Sequence, residues 1–321
     1  MTHATTTGET PAPPIVEFLG ASKWYGNVIG LNKLSLGLPA GVTGLLGPNG
    51  AGKSTFLQLA TGQLRPSQGE VRVLGHRAWN NPALNRYVGL CPEQDAFYEW
   101  MTGREFIENC ARLGGLSKSA AREATARVLD EVGMTEHAGR AVSGYSKGMR
   151  QRTKLAQALV HEPLVLFLDE PLTGTDPVAR RDLINVIRQL GASGRSVILS
   201  SHVLHEVEAV TSRVVLINHG RLVAEGNVRE IRDLIDAHPH RILIRSEDDR
   251  ALAARLVAFE DVVGVDLSRQ AEGGGVLVET RAPDAFYARL TAIALEPGTA
   301  VRHVESEDDT LDAVFRYLVN P

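Results

Sequence analysis

The run Gly47-Pro48-Asn49-Gly50-Ala51-Gly52-Lys53-Ser54-Thr55 constrains this chain more than any other stretch, because it joins an apolar strand, Val42 to Leu46, to a helix, Thr55 to Ala60. Its glycines let successive backbone N–H groups turn inward around an anion, and the following helix adds the positive end of its dipole. In such a cradle the Lys53 ammonium reaches terminal phosphates and the Ser54 hydroxyl is a Mg²⁺ ligand. The competing reading is an ordinary glycine-rich turn, which the strand before and the helix after make hard to sustain. Nucleotide binding within an α/β fold is therefore expected. The loop does not say what hydrolysis would drive.

With 321 residues the chain can bury a core for one large domain, or for a large one plus a small one. An apolar fraction of 43% and a charged fraction of 22% are those of a soluble globular protein. A net charge of -4 and a pI near 6.2 give no long-range attraction to phosphate backbones, so no nucleic-acid partner is expected. Cys91 and Cys110 are too few for a disulfide framework or a tetrahedral zinc site, which fits a reducing cytosol. Residues 1 to 14 are rich in Thr and Pro, lack the apolar run of a signal peptide and read as a disordered leader. The longest dense apolar run, Leu164 to Leu168, is strand-sized, so any membrane contact should come through a partner.

From Ile15 to Leu38, and again from Glu70 to Leu74, short β segments predict a small antiparallel sheet beside the phosphate loop. Helical periodicity over Arg104 to Leu113, Ser119 to Val132 and Arg150 to Val160 predicts a helical insertion spanning about residues 102 to 160. Apolar strands then return at Leu164 to Leu168, Ser196 to Leu199 and Val214 to Ile217, with a helix over Pro177 to Leu190, the pattern of a parallel sheet covered on both faces. A composition shift near Ala237-His238-Pro239 separates a domain of residues 15 to 237 from one of residues 238 to 321. In the latter, strands at Ile242 to Ile244, Val262 to Leu267, Val276 to Glu279 and Val301 to Val304 alternate with helices at Arg250 to Phe259, Pro283 to Ile293 and Thr310 to Val319. Two successive βαβ units resemble a small ferredoxin-like α+β domain, and Gly273-Gly274-Gly275 reads as a hairpin turn.

The strand Leu164 to Leu168 ends in Asp169-Glu170, and acids at the carboxyl end of a buried parallel strand sit where ligands bind in open α/β sheets. Asp169 would hold Mg²⁺ and Glu170 would polarise the attacking water, unless the pair is simply a solvated turn before Pro171. The loop, the strand ending Leu168-Asp169-Glu170-Pro171, the segment Tyr145-Ser146-Lys147-Gly148-Met149-Arg150-Gln151-Arg152 and Ser201-His202 follow the order found in ATP-binding-cassette (ABC) ATPases. That resemblance covers roughly Ile15 to Ile235.

What it implies falls on particular residues. Tyr25 matches the aromatic on which adenine stacks, although a sheet tyrosine would look the same in sequence. Ser146 and Gly148 match the signature that faces the γ-phosphate bound by the opposite subunit; without the resemblance Ser146 reads as a helix cap. His202 matches the switch histidine at the γ-phosphate, and Asp176, in an Asp-Pro turn that opens a helix, matches the loop coupling the two sites of a dimer. Where the family carries a lid glutamine, Glu93 aligns and Gln94 follows, so either would reach the hydrated Mg²⁺. Lys147 and Met149 stand where Gly and Gln are usual, and Thr175 where Leu is usual; altered rates or contacts are expected, with activity kept.

One loop and one signature per chain imply a head-to-tail homodimer with ATP at the interface, closing on ATP and opening after hydrolysis. The moved object is then a separate transmembrane permease, and the chain would sit peripherally on the inner face of the cell membrane. Phe97, Tyr98 and Trp100, near the start of the insertion, are the docking candidates; packing of the insertion onto the sheet is their other explanation. The Cys-Pro-Glu-Gln-Asp segment, the signature and the carboxyl-terminal domain are similar to exporter ATPases paired with ABC-2 permeases. The rival expectation is a regulatory ATPase whose carboxyl-terminal domain senses a ligand.

Overall fold

The computed structural model describes residues 13–228, 239–267, 274–294 and 300–306. The chain divides into compact units at Glu225 and Gly226. The leader, the composition shift at residue 237 and the last expected helix fall largely outside the described residues, of which 1–12, 229–238 and 307–321 are not part.

The first unit holds two sheets. Strands β1 (Val16–Tyr25), β2 (Val28–Leu38), β4 (Gln68–Val73) and β5 (His76–Arg77) form one, in the order β2-β1-β4-β5, with antiparallel pairing throughout. The other runs β10-β9-β3-β8-β7-β6, built from β3 (Val42–Leu46), β6 (Val88–Cys91), β7 (Val165–Leu168), β8 (Ser196–Ser201), β9 (Arg213–Asn218) and β10 (Arg221–Asn227). The pairs of β3 with β8 and β9, and of β7 with β6 and β8, are parallel. Every residue of β7 and β8 is buried, which is why Val165 to Leu168 and Val197 to Leu199 read as unbroken apolar runs.

Helix α1 (Lys53–Ala60) follows β3 and lays Phe56 against Phe18 of β1, ring centroids 4.2 Å apart, so one core is shared by both sheets and the phosphate loop. The insertion is α2 (Gly103–Leu113), α3 (Lys118–Glu131) and α4 (Lys147–Leu159). Each begins on a hydroxyl cap: Thr102 with a reciprocal box to Glu105, Ser117, and Ser146. The Ser146 cap starts α4 earlier than the apolar period alone predicts. Next come α5 (Pro177–Ala192), capped by Asp176, and the short α6 (Leu204–Glu208).

The second unit contains β11 (His240–Ser246), α7 (Asp249–Leu256), β12 (Val262–Asp266), β13 (Val276–Thr280), α8 (Pro283–Ile293) and β14 (Val301–Ser306). Its strand order, β12-β13-β11-β14 with antiparallel neighbours, is the ferredoxin-like βαββαβ arrangement expected from the sequence. Ile242, Ile244, Val276, Val278, Leu252, Leu256 and Phe286 form its core.

Candidate functional site

Helix α1 starts unlike the other long helices of its unit. Its cap is Gly52 at φ +108°, with no side-chain partner for the first N–H groups. A Cβ on Gly52 would stand 2.4 Å from the Gly30 carbonyl oxygen, and the left-handed backbone adds to that bar against any other residue. The uncapped turn leaves the donors of residues 53 to 55 at the mouth of a cleft of about 340 Å³.

Tyr25, Pro48, Asn49, Gly50, Gly52, Lys53, Ser54, Thr55, Glu93 and Glu170 line that cleft, together with Val28, Ile29 and Gly30. Tyr25 is 43% exposed, shares a hydrogen bond with Thr55 Oγ1 at 3.3 Å, and lies so close to Gly30 that a Cβ there would be 2.8 Å from its ring. Gly47 and Ala51 complete the loop from behind: the Gly47 carbonyl accepts from Lys53 Nζ at 2.7 Å, and Ala51 is buried in the core. Of the two lid candidates Glu93 lines the cleft and Gln94 does not.

Lys53 Nζ also stands 3.2 Å from Glu170 Oε1, an ion pair whose side chains are each 7% exposed. The other oxygen, Oε2, accepts from Thr173 Oγ1 and from His202 Nδ1, both at 3.0 Å. Glu170 holds φ at +46°, a conformation that costs a glutamate about 1–2 kcal/mol. Its surroundings impose it: the Glu170 N–H donates to Ser200 Oγ at 3.0 Å, and its carbonyl accepts from Gln151 Nε2 at 3.2 Å. Ser200 Oγ in turn donates to Asp169 Oδ1 at 2.6 Å, so one hydroxyl orients both acids of the turn.

Ser54, Asp169 and Glu93 offer only oxygen, the donor type of a hard cation. Among the described residues no group of three or more His, Cys, Asp or Glu could hold a metal by themselves. Mg²⁺ keeps waters and substrate phosphates in its shell, so this sparse set fits it.

Asp169, His202, Ser146, Gly148 and Asp176 do not line the cleft; Asp169 and His202 reach it through Ser200 and Glu170. Ser146 Oγ accepts the Met149 N–H at 3.3 Å, and Gly148 comes so near α5 that a Cβ would lie 2.7 Å from that of Ala179. Asp176 Oδ1 accepts from the N–H groups of Ala179 and Val178, and the Ala179 bond is the main reason its carboxyl lies below the ordinary range.

Residues that sequence reasoning missed tie these parts together. Lys154 of α4, 1% exposed, donates from Nζ to the Glu93 carbonyl at 2.6 Å and pairs with Asp95 at 3.1 Å, so α4 holds the backbone of Glu93. Arg150 clamps Glu99 through two bonds of 2.7 Å, which holds that carboxyl below its usual range. The only sequence signal for Lys154 was a cation inside an apolar helical face. Phe97 packs on Phe106 at 5.0 Å beneath Arg150, both of them residues of the insertion, whereas Tyr98 and Trp100 are 61% and 74% exposed.

A family model described as "ABC transporter" matches residues 31–173. The chain is 36% identical over 308 residues to the daunorubicin/doxorubicin resistance ATP-binding protein DrrA of Streptomyces peucetius, covering 94% of this chain and 92% of that one. Among solved structures it resembles an ATP-binding subunit of an ABC transporter, with 28% identity and a TM-score of 0.61 over 68% of this chain and 92% of that one. A dimeric ATP-binding cassette in a post-hydrolysis state with ADP and Pi matches at 20% identity and a TM-score of 0.61, over 67% of this chain and 99% of the other.

Proposed function

The chain belongs to the ATP-binding subunits of ABC transporters, and from that premise we propose that its cleft binds MgATP, hydrolyses it with Glu170 and drives export through an ABC-2 type permease. That it is an ATP-binding, ATP-hydrolysing transporter subunit follows from its likeness to DrrA over nearly the whole of both chains. The observation that supports the catalytic assignment is the chain of contacts Lys53–Glu170–His202 at the end of β7.

In this reading the glycine-rich loop and Lys53 hold the phosphates, and Tyr25 stacks on adenine. Ser54, Asp169 and Glu93 are the protein oxygens that would hold Mg²⁺, which would supply charge to offset the phosphates. Glu170, fixed by Ser200, Thr173 and His202, accepts the proton of the attacking water. Ser146 and Gly148 lie on α4 outside the cleft of their own chain, which supports their service to a second copy across a head-to-tail dimer.

No helix among the described residues is long and apolar enough to cross a membrane. The chain would therefore reach the bilayer as a peripheral subunit, with exposed Tyr98 and Trp100 against the permease. The relative's name connects that protein with drug resistance, which supports export as the direction of transport.

The test is Glu170→Gln in the full chain. ATP binding is retained, hydrolysis falls by about a hundredfold or more, and an ATP-bound dimer accumulates on size exclusion. A variant that stays monomeric with ATP and hydrolyses at the parental rate overturns the assignment of Glu170.

A further inference from the structure

Behind the switch turn lies a buried carboxylate that hydrolysis as described does not use. Glu206, in α6, is 5% exposed, and a charge so far from water needs a reason. Its Oε2 accepts from Ser201 Oγ at 3.1 Å, and its Oε1 faces Arg180 Nε at 3.3 Å. Each partner reaches a different part of the site. Ser201 Oγ also accepts the Val203 N–H at 3.0 Å, which closes the backbone around His202, and His202 in turn meets Glu170. Arg180, one turn into α5, donates from Nη2 to the Thr175 carbonyl at 3.2 Å. Thr175 is 5% exposed and pins itself by donating to the Leu172 carbonyl at 2.6 Å, between Gly174 at φ +72° and Asp176.

We propose that Glu206 and Arg180 are a positioning pair: through them the turn carrying His202 and the loop carrying Thr175 and Asp176 share one register. Neither side chain lines the cleft. The pair acts on hydrolysis by holding His202 against Glu170 while fixing the loop that faces the second subunit. Displacement of a loop that faces the opposite site is thereby felt at His202 of the same chain. The inference rests on the roles assigned above to Glu170 and His202.

The kinetic signature separates this role from ordinary structural support. In the full chain, Glu206→Ala should lower kcat for ATP hydrolysis about tenfold to a hundredfold while KM and the affinity for a fluorescent ATP analogue stay within about twofold, because displacement falls on the reacting groups and not on the phosphate cradle. Arg180→Ala should do the same. The double variant should lose no more than the worse single one, since both break one connection. Glu206→Gln keeps the shape and removes the charge, and should retain more activity than Glu206→Ala; it also serves if the alanine variant folds poorly, which circular dichroism reports. Losses that multiply in the double variant, or a raised KM at unchanged kcat, overturn the pair. His202→Ala distinguishes the two levels. If it leaves kcat unchanged, the assigned role of His202 fails; if it collapses kcat while Glu206→Gln and Glu206→Ala do not lower it, the pair alone fails.

Discussion

Ser200 offers the sharpest test of how the turn at Asp169 and Glu170 is held, because a single hydroxyl serves two acids. It is fully buried in β8, accepts the Glu170 N–H at 3.0 Å and donates to Asp169 Oδ1 at 2.6 Å. Ser200→Ala removes little volume but strands an amide N–H and a carboxylate oxygen, each worth about 1–3 kcal/mol when left unpaired. Partial relaxation reduces the sum, and we expect a loss of about 2–4 kcal/mol. For a unit of this size that lowers Tm by about 5–15 °C. Trp24, Trp79 and Trp100 are the only tryptophans and all lie in the first unit, so fluorescence during urea or thermal unfolding reports on that unit alone. The internal control is Ser196→Ala on the same strand, where Oγ accepts one N–H, from Gly41 at 3.3 Å, and a loss near 1 kcal/mol is expected. With Glu170 no longer held at φ +46°, kcat should fall by up to about a hundredfold. A stability loss below about 0.5 kcal/mol with unchanged kcat would refute the reasoning.

Two further outcomes follow from the geometry. Lys154→Met keeps an apolar stem in place of the buried cation but frees the Glu93 carbonyl and Asp95, which is 26% exposed; we expect a loss of about 1–3 kcal/mol in urea unfolding and a lower kcat, and an unchanged kcat would show that the lid needs no anchor in α4. Asp176 has its carboxyl depressed, chiefly by the Ala179 N–H, so its contribution to stability is fully present above the unfolded value near about pH 4 and disappears as pH falls through the lower folded value. Asp176→Asn should therefore flatten the acid limb of a plot of Tm against pH, and a limb of unchanged steepness would assign it to other carboxylates.

The loop at residues 47 to 55 and the acids after β7 were legible because their chemistry is local: residue type, spacing and flanking strand lie within one short window. Helix starts were less so. Apolar period marks the face that packs, whereas Ser146 and Asp176 set where α4 and α5 begin by accepting N–H groups. The parts that orient the site were not legible. Ser200 stands near the end of an apolar strand, next to Ser201-His202, and acts on residues 30 and 31 positions away; Lys154 acts on a carbonyl 61 positions away. Gln151 belonged to a motif read for its phosphate-facing end, yet its side chain turns inward to the carbonyls of Glu170 and Pro171. The three neighbouring aromatics divided because Phe97 meets Phe106 while Tyr98 and Trp100 meet solvent, a distinction that composition does not encode.

The ion pair between Lys53 and Glu170 has a consequence for the order of events. In the proposed reading Glu170 is the base, and its Oε1 stands 3.2 Å from the Lys53 ammonium, the group assigned to the phosphates. Phosphate oxygens that draw the Lys53 ammonium toward themselves strip Glu170 of its counter-charge in the same movement. On the proposed roles, loading the cradle and freeing Glu170 from Lys53 are then one exchange of partners. It also means that Glu170→Gln, by freeing Lys53 in advance, should tighten ATP binding as it slows turnover.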